Sequence, residues 1–272
     1  MKIEKMHPHS RKVEIDDLDW DLASSVGLSD DEILVLTYFA DIEGQTIFYL
    51  REILATRAAL EPEVIGFITM WNYEEYFHSL ALARMLEVCG VPLGDARNSA
   101  NRRTVKIRAK IEAAVQYLLS RIFAPQFPAL YMAWGASQEL LTLRGYEQIM
   151  ETTRNPVLRT LCDRIAKQER RHFAWYFNSA RERLNASRVA RVITRKAFDY
   201  WTPVGVGVKT TEESYRLAVA LFGDRLGEVA EHYDKKMETL PGLDGKSILR
   251  RFAQEVEEAL GSDSEPMARI AA

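Results

Sequence analysis

The sequence predicts an all-α protein in which a four-helix bundle is followed by shorter helices. Apolar residues recur at three- and four-residue spacing over long stretches, which is the period of a helix face. Alternation of β-branched and polar residues, which would indicate strands, is brief wherever it occurs. Proline and glycine interrupt the apolar pattern at only a few places, so the helices between them should be long.

Four long helices form the predicted bundle, and each would span about 35 to 45 Å at about 1.5 Å per residue. The first begins at a capping box in which Ser29 precedes Glu32 by three residues. Pro62 suits the first turn of the second helix, and Asn155 precedes a proline that suits the first turn of the fourth. The bundle helices are predicted over 30–60, 62–88, 129–153 and 156–184, and shorter helical stretches over 104–123, 186–201, 211–222, 224–239 and 244–260.

Composition and length favour one soluble domain. The chain has 272 residues with 47% hydrophobic content, and we expect an irregular lead over 1–28, a single helical domain over 29–260 and a disordered tail over 261–272. The net charge of -3 disfavours a nucleic-acid-binding protein, which would be basic. Since no run reaches the roughly 18 apolar residues of a membrane span, and the start lacks a signal segment, we expect a cytoplasmic protein. Cys89 and Cys162 lie in apolar helical runs and are predicted to be buried free thiols.

Two copies of a Glu-x-x-His motif indicate a metal site. Glu75 and His78 lie in the second predicted helix, and Glu169 and His172 lie in the fourth. Residues three apart project from the same face of a helix, so each pair can clamp one metal ion. A single copy occurs by chance on many solvated helices, but two copies in separate long helices favour metal binding.

Each of the other two long helices contributes one glutamate among apolar residues. Glu43 and Glu139 should face the core, where an unpaired carboxylate would cost several kcal/mol to desolvate. The chain order Glu, Glu-x-x-His, Glu, Glu-x-x-His is the pattern of carboxylate di-metal bundles. Four carboxylates balance two divalent ions, and the oxygen-rich shell favours iron or manganese. The predicted ligands are Glu43, Glu75, His78, Glu139, Glu169 and His172.

Other interpretations of the acidic and histidine residues stay open at this point. The Glu-x-x-His pairs could lie on the surface of an ordinary metal-free bundle, with Glu43 and Glu139 solvated. Glu74 and Glu147 are the nearest rivals for ligand positions, although both fall outside the four-helix pattern. The remaining histidines are predicted to bind no metal; they are His7, His9 and His232.

Residues around the ligands resemble the soluble acyl-carrier-protein (ACP) desaturases of the ferritin-like di-iron superfamily. Trp71 lies four residues before Glu75, and Thr142 lies three residues after Glu139. Ile165-Ala166 precedes the second Glu-x-x-His motif, and the resemblance runs from about residue 29 to 184. Ferritins share the bare ligand order but need not share Trp71 and Thr142.

The resemblance implies a ferritin-like four-helix core that holds two iron ions, with manganese as the alternative metal. It also implies O2-dependent desaturation of an ACP-bound acyl chain, two electrons from a ferredoxin-type donor, and a homodimer. Thr142 is then a candidate for proton delivery, and Trp71 for the electron route to iron. The alternatives are that Thr142 bonds back to the preceding turn and that Trp71 is a core residue.

The sequence departs from the family at several positions. Gln168 stands where the family commonly has an acidic residue before the last Glu-x-x-His, so hydrogen bonding and electron delivery can differ. Tyr131 and Met132 are bulky where the third ligand helix should line the acyl channel. The open alternatives for function are another di-iron oxygenation, such as hydroxylation or N-oxygenation, and ferritin- or rubrerythrin-like iron handling.

Two basic runs could attract an acidic partner such as ACP or ferredoxin. A solvated helix face is the alternative for both. The first run includes Arg102, Arg103 and Lys106, and the second includes Arg188, Arg191, Arg195 and Lys196.

Overall fold

The computed structural model describes residues 7–54, 56–93, 118, 121–123, 125–205 and 209–261. Within these described residues, all the regular secondary structure is helical, which confirms the predicted all-α class. The α-helices are α1 (Trp20–Val26), α2 (Asp30–Glu43), α3 (Thr46–Leu54), α4 (Pro62–Val88), α5 (Phe127–Thr152), α6 (Pro156–Ala186), α7 (Arg188–Ala197), α8 (Thr211–Phe222), α9 (Leu226–Met237) and α10 (Leu249–Gly261).

Helices α2, α4, α5 and α6 form the bundle, and each contributes a buried apolar face. Helix α5 packs along α6, α2 packs along α4, and α4 contacts α6. At the centre of the α4–α6 contact, Phe67 stacks on Trp175 with ring centroids 3.8 Å apart. Cys162 is buried and Cys89 is half-buried, and neither forms a disulfide. No helix among the described residues is both long enough and apolar enough to cross a bilayer.

The predicted helix starts are confirmed at three places. Ser29 Oγ accepts from the Glu32 amide and the Ser29 amide donates to Glu32 Oε2, which completes the capping box of α2. Pro62 and Pro156 occupy the first turns of α4 and α6. Asn155 caps α6, because its Oδ1 accepts from the backbone of Val157.

The predicted helix over 30–60 is wrong as a single element, because α2 ends at Glu43 and α3 begins two residues after Gly44. At the break, the Thr46 hydroxyl donates to the Glu43 carbonyl over 2.9 Å and competes with helical hydrogen bonding. A Cβ on Gly44 would lie 2.8 Å from Ser79 Oγ, so a larger residue would displace the Ser79 hydroxyl, which donates to the Ala40 carbonyl. The break therefore places Glu43 at the end of a helix.

The predicted lead is also not wholly irregular, because it contains α1. Asp19 caps α1, and α1 packs against both α4 and α6. This helix has only seven residues, so its stability depends on packing, which its sequence pattern does not reveal. The predicted helix over 104–123 lies mostly outside the described residues, as does the predicted tail apart from Gly261.

The predicted helices after the bundle are confirmed, although the one predicted over 244–260 begins only at Leu249 and the one predicted over 186–201 ends at Ala197 with a 3-10 turn after it. Helix α8 packs against α2 and α5, while α9 packs against α5 and α10. The Tyr233 hydroxyl donates to the Ser137 carbonyl over 2.8 Å, and Trp201 Nε1 donates to Ser137 Oγ over 2.8 Å. The Tyr233 bond fixes α9 to the third bundle helix, α5, and the Trp201 bond ties the segment between α7 and α8 to the same helix.

We predict that Asn155→Ala destabilises the protein by about 2 to 4 kcal/mol, because it removes a helix cap and two buried hydrogen bonds at once. Asn155 Nδ2 donates to the carbonyls of Ala23 and Gly27, which ties α6 to α1. Ser29→Ala is the matched control, since it removes an exposed cap alone and should cost only about 1 kcal/mol. Chemical denaturation measures both; equal losses would show that the link to α1 contributes nothing.

Candidate metal centre

All six predicted ligands meet inside the bundle. Glu43 comes from the end of α2, and α5 contributes Glu139, while α4 and α6 each contribute one Glu-x-x-His pair. All six residues are buried, and the most exposed of them, Glu139, has 6% of its surface exposed. The prediction that these residues form one buried cluster is therefore confirmed.

The ligand atoms form two overlapping groups of four. Within each group they lie within 4.8 Å of one another, which suits a shared cation. Glu75 and Glu169 belong to both groups, so they are placed to bridge two metal positions. One position is completed by Glu43 and His78 and the other by Glu139 and His172.

Both histidines turn Nδ1 toward the carboxylates. His78 Nδ1 lies 3.2 Å from Glu75 Oε2 and 3.1 Å from Glu169 Oε1. His172 Nδ1 lies 2.9 Å from Glu75 Oε1 and 3.7 Å from Glu169 Oε2. Nδ1 is therefore the nitrogen that each imidazole offers to a metal, while Nε2 points outward.

Unsatisfied polar atoms at the centre show that the cluster fits a metal. Glu75 Oε1, Glu169 Oε1 and His172 Nδ1 are buried without a hydrogen-bond partner, although other ligand atoms lie close by. Buried polar atoms are rarely left unpaired, and these three all point to the shared interior. Divalent cations at the two positions would satisfy them, and the set of carboxylates and imidazoles suits hard or borderline metals.

Without a metal, protons have to balance the crowded carboxylates. Burial and the neighbouring carboxylates raise the pKa of Glu43 and of Glu139 well above the usual value. Burial opposes protonation of His78, but Glu75 and Glu169 outweigh it and raise the pKa of His78 to about 10. The carboxylates around His172 raise its pKa in the same way. The cluster therefore attracts positive charge, whether protons or metal ions.

The outer atoms of the ligands are held by a second layer of side chains. Trp71 Nε1 donates to Glu139 Oε1 over 2.9 Å, and the Tyr146 hydroxyl donates to Glu43 Oε1 over 3.0 Å. Such partners orient metal ligands and tune their basicity. Trp71 thus contacts a ligand directly, in addition to packing in the core.

The histidines have outer partners of their own. His78 Nε2 lies 2.7 Å from Gln168 Oε1, and His172 Nε2 lies 2.8 Å from Glu74 Oε2. The residue before each Glu-x-x-His therefore holds the histidine of the other motif. Glu74, a rival for a ligand position in the sequence, lies in this outer layer.

The sequence patterns did not predict the roles of Tyr146 and Glu74, although the sequence carried a signal for each. Tyr146 lies seven residues after Glu139, which is two helical turns along the same face. Glu74 occupies the same place before its motif as Gln168 does. The other rival, Glu147, pairs with Arg144 and Arg170 away from the cluster.

Thr142 has a structural partner and also lies beside an apolar cavity. Its hydroxyl donates to the Gln138 carbonyl over 3.2 Å, which is the back-bonding alternative. The cavity has a volume of about 40 Å³ and lies between α2, α5 and α8. Its lining includes Phe39, Thr142 and Leu221.

The remaining predicted site residues are placed as follows. Met132 is fully buried and Tyr131 is half-buried, and neither lines the cavity beside Thr142, so their role in a channel stays a prediction.

In the second basic run, Arg195 donates to the Gly242 and Asp244 carbonyls, and Arg191 donates to the Leu184 carbonyl. The first basic run, with Arg102, Arg103 and Lys106, lies outside the described residues.

Comparison with known proteins finds no matching family model, no similar curated protein and no similar solved structure. A proposal on function therefore draws on the fold, on the geometry of the cluster and on the sequence motifs around it.

We predict that the metal-free protein takes up about two divalent ions per chain, one at each position. Glu43→Ala should leave about one ion, because Glu43 belongs to one ligand group, whereas Glu75→Ala should lose both ions, because Glu75 belongs to both. Glu147→Ala is the matched control on the surface of α5 and should keep both. Elemental analysis of protein dialysed against Mn²⁺ measures the ratio; equal losses in the Glu43 and Glu75 variants would contradict the bridged arrangement.

We also predict that the metal-free protein loses stability as the pH rises from 6.5 to 10. The folded-state pKa of His78 is raised from 6.5 to about 10, so its stabilising charge is present below pH 6.5 and is lost as the pH approaches 10. Ionisation of Glu43 and Glu139 at higher pH acts in the same direction, because their pKa values are raised.

Thermal unfolding of chelator-treated protein across this range measures the effect of pH. The midpoint should fall by several degrees in the chelator-treated protein and much less when Mn²⁺ is present, because bound metal replaces the protons. A midpoint in the chelator-treated protein that stays constant or rises would contradict the charge balance described above.

Proposed function

We propose that the protein is an O2-dependent di-iron oxidoreductase that desaturates an acyl chain bound to a carrier protein. The observation that supports this most strongly is the pair of four-residue ligand groups that share Glu75 and Glu169. Two metals bridged by carboxylates in a helical bundle are typical of oxygen-activating di-iron proteins.

The ligand set supports iron as the metal. Four carboxylates and two imidazoles suit iron or manganese better than they suit metals that prefer thiolate ligands. When bound, the two iron ions would supply the electrons and the binding position for reduction of O2. The chain's own contribution is to hold the ligands in place through Trp71 and Tyr146 and to keep bulk water out of a nearly fully buried cluster.

The cavity beside Thr142 supports an apolar substrate. Phe39 lies four residues before Glu43, and Thr142 lies three residues after Glu139, so the cavity is one helical turn from a ligand on each of two helices. Its walls are almost entirely aliphatic and aromatic, and its volume of about 40 Å³ leaves room for a small apolar group, such as one part of a hydrocarbon chain. In this proposal the Thr142 hydroxyl delivers a proton toward the metals after leaving the Gln138 carbonyl.

The electrons for the reaction would come from outside the chain. Only two cysteines are present, and Cys89 and Cys162 are separate thiols, so the chain cannot hold an iron–sulfur cluster of its own. A ferredoxin-type donor is the partner that we propose. Trp71, which contacts Glu139 and lies 6.2 Å from the Tyr176 ring, would then belong to the electron route.

The proposal also includes a carrier protein as the second partner, a homodimer as the assembly and the cytoplasm as the location. These follow from the resemblance of Trp71, Thr142 and the ligands to soluble ACP desaturases.

Aerobic incubation with ferredoxin, reductant and a panel of ACP-bound acyl chains tests the reaction. We expect at least one acyl chain to lose two hydrogen atoms, as measured by mass spectrometry. His78→Ala should abolish both this product and the O2-dependent optical change of the reduced protein, because it removes a metal ligand.

His232→Ala is the matched control, since His232 is exposed and its Nδ1 donates to the Glu228 carbonyl over 2.9 Å. Gain of an oxygen atom by the substrate would indicate hydroxylation or N-oxygenation instead. Iron uptake far above two per chain with no change in any substrate would contradict the enzyme proposal and favour iron handling.

A further inference from the structure

The two histidines of the cluster have outer partners of different charge. His172 Nε2 faces the carboxylate of Glu74, whereas His78 Nε2 faces the amide of Gln168. The inner atoms are more alike, because each metal position has two shared carboxylates, one further glutamate and one imidazole. The difference between the two positions therefore lies mainly in this outer layer.

The N-terminal segment comprises residues 9–17. A single residue of this segment contacts both outer partners, Glu74 and Gln168, through its backbone. The Arg11 amide donates to Glu74 Oε1 over 3.2 Å, and Gln168 Nε2 donates to the Arg11 carbonyl over 3.0 Å. An amide group can only donate, and a carbonyl group can only accept. The backbone of Arg11 thus matches a carboxylate at position 74 and an amide at position 168.

The same contacts fix the orientation of both imidazoles. Because the Arg11 carbonyl binds Nε2 of Gln168, the oxygen of that amide must face His78. His78 Nε2 then carries the hydrogen, and its Nδ1 is left free for the metal. Glu74 accepts from His172 Nε2 and from Arg171, so His172 is oriented in the same way.

The segment around Arg11 is attached to the bundle on both sides of this contact. Arg171 donates to the His9 carbonyl over 3.4 Å. Arg164 donates to the Glu14 carbonyl over 2.7 Å and forms a two-point ion pair with Asp17. Val13 is buried, with 3% of its surface exposed. These contacts hold the backbone of Arg11 against the outer layer.

We infer that the N-terminal segment is part of the metal centre and makes its two positions unequal, so that the position beside His172 binds a divalent ion more tightly than the position beside His78. This inference rests on the metal site of the proposed function. A carboxylate that accepts the outer N–H of an imidazole raises the basicity of the ligating nitrogen, and a neutral amide does so less.

Anaerobic titration of the full-length, metal-free protein with Co²⁺, followed by its visible absorption, tests the inference. We expect two binding steps whose affinities differ by about tenfold or more. Glu74→Gln should weaken the tighter step by about 10- to 100-fold, so that the two steps merge. Gln168→Met, which removes the acceptor of His78, should weaken only the looser step.

A pair of variants at residue 11 separates its backbone from its side chain. Arg11→Ala keeps the amide and the carbonyl, so both steps should stay as in the wild-type protein. Arg11→Pro removes the amide hydrogen that binds Glu74, so the tighter step should weaken. Far-UV circular dichroism of the metal-free variants checks that each is folded.

Two outcomes would overturn the inference while leaving a di-metal site intact. One is two equal steps in the wild-type protein, and the other is an unchanged tighter step in folded Glu74→Gln protein. Failure to bind two metal ions at all would instead contradict the proposed function.

Discussion

The rest of the structure depends on the burial of four carboxylates within a few ångströms of one another. Glu43, Glu75, Glu139 and Glu169 repel each other in a place where water cannot screen them, so positive charge must accompany them. Two imidazoles share the interior and supply part of it as protonated groups. Divalent metals supply it more completely, and they also satisfy the polar atoms that have no partner.

Packing around the cluster helps to offset the repulsion among the buried carboxylates. Aromatic side chains from α4 and α6 lie next to His172, including Phe67, which stacks on Trp175. Hydrogen bonds from Trp71 and Tyr146 hold the two unshared glutamates, Glu139 and Glu43. The ligands are thus oriented before any metal arrives, which reduces the cost of ordering them on binding.

The sequence predicted the parts of the molecule that depend on helical period. Ligands three residues apart, the capping box at Ser29 and the prolines in the first turns are local patterns, and the structure has them where predicted. The break after Glu43 instead involves a contact from another helix, since the Asn72 amide of α4 donates to the Thr46 hydroxyl over 2.9 Å. The role of Arg11 depends on backbone contacts with residues more than 60 positions away, which no local pattern encodes.

These long-range contacts give the amide at position 168 a physical explanation. The Arg11 carbonyl needs a donor, and a carboxylate at position 168 would leave it facing another acceptor. The Gln168 amide therefore connects the N-terminal segment to His78, because it donates to the Arg11 carbonyl and its oxygen faces His78 Nε2.

The proposal for this bundle is that its shared carboxylates, Glu75 and Glu169, would hold two iron ions. The Mössbauer spectrum of protein loaded with ⁵⁷Fe²⁺ and then exposed to O2 tests it most directly. We expect an antiferromagnetically coupled diferric pair, because Glu75 and Glu169 lie within reach of both positions and would keep the two ions close together. A spectrum of isolated, uncoupled high-spin ferric ions would contradict it.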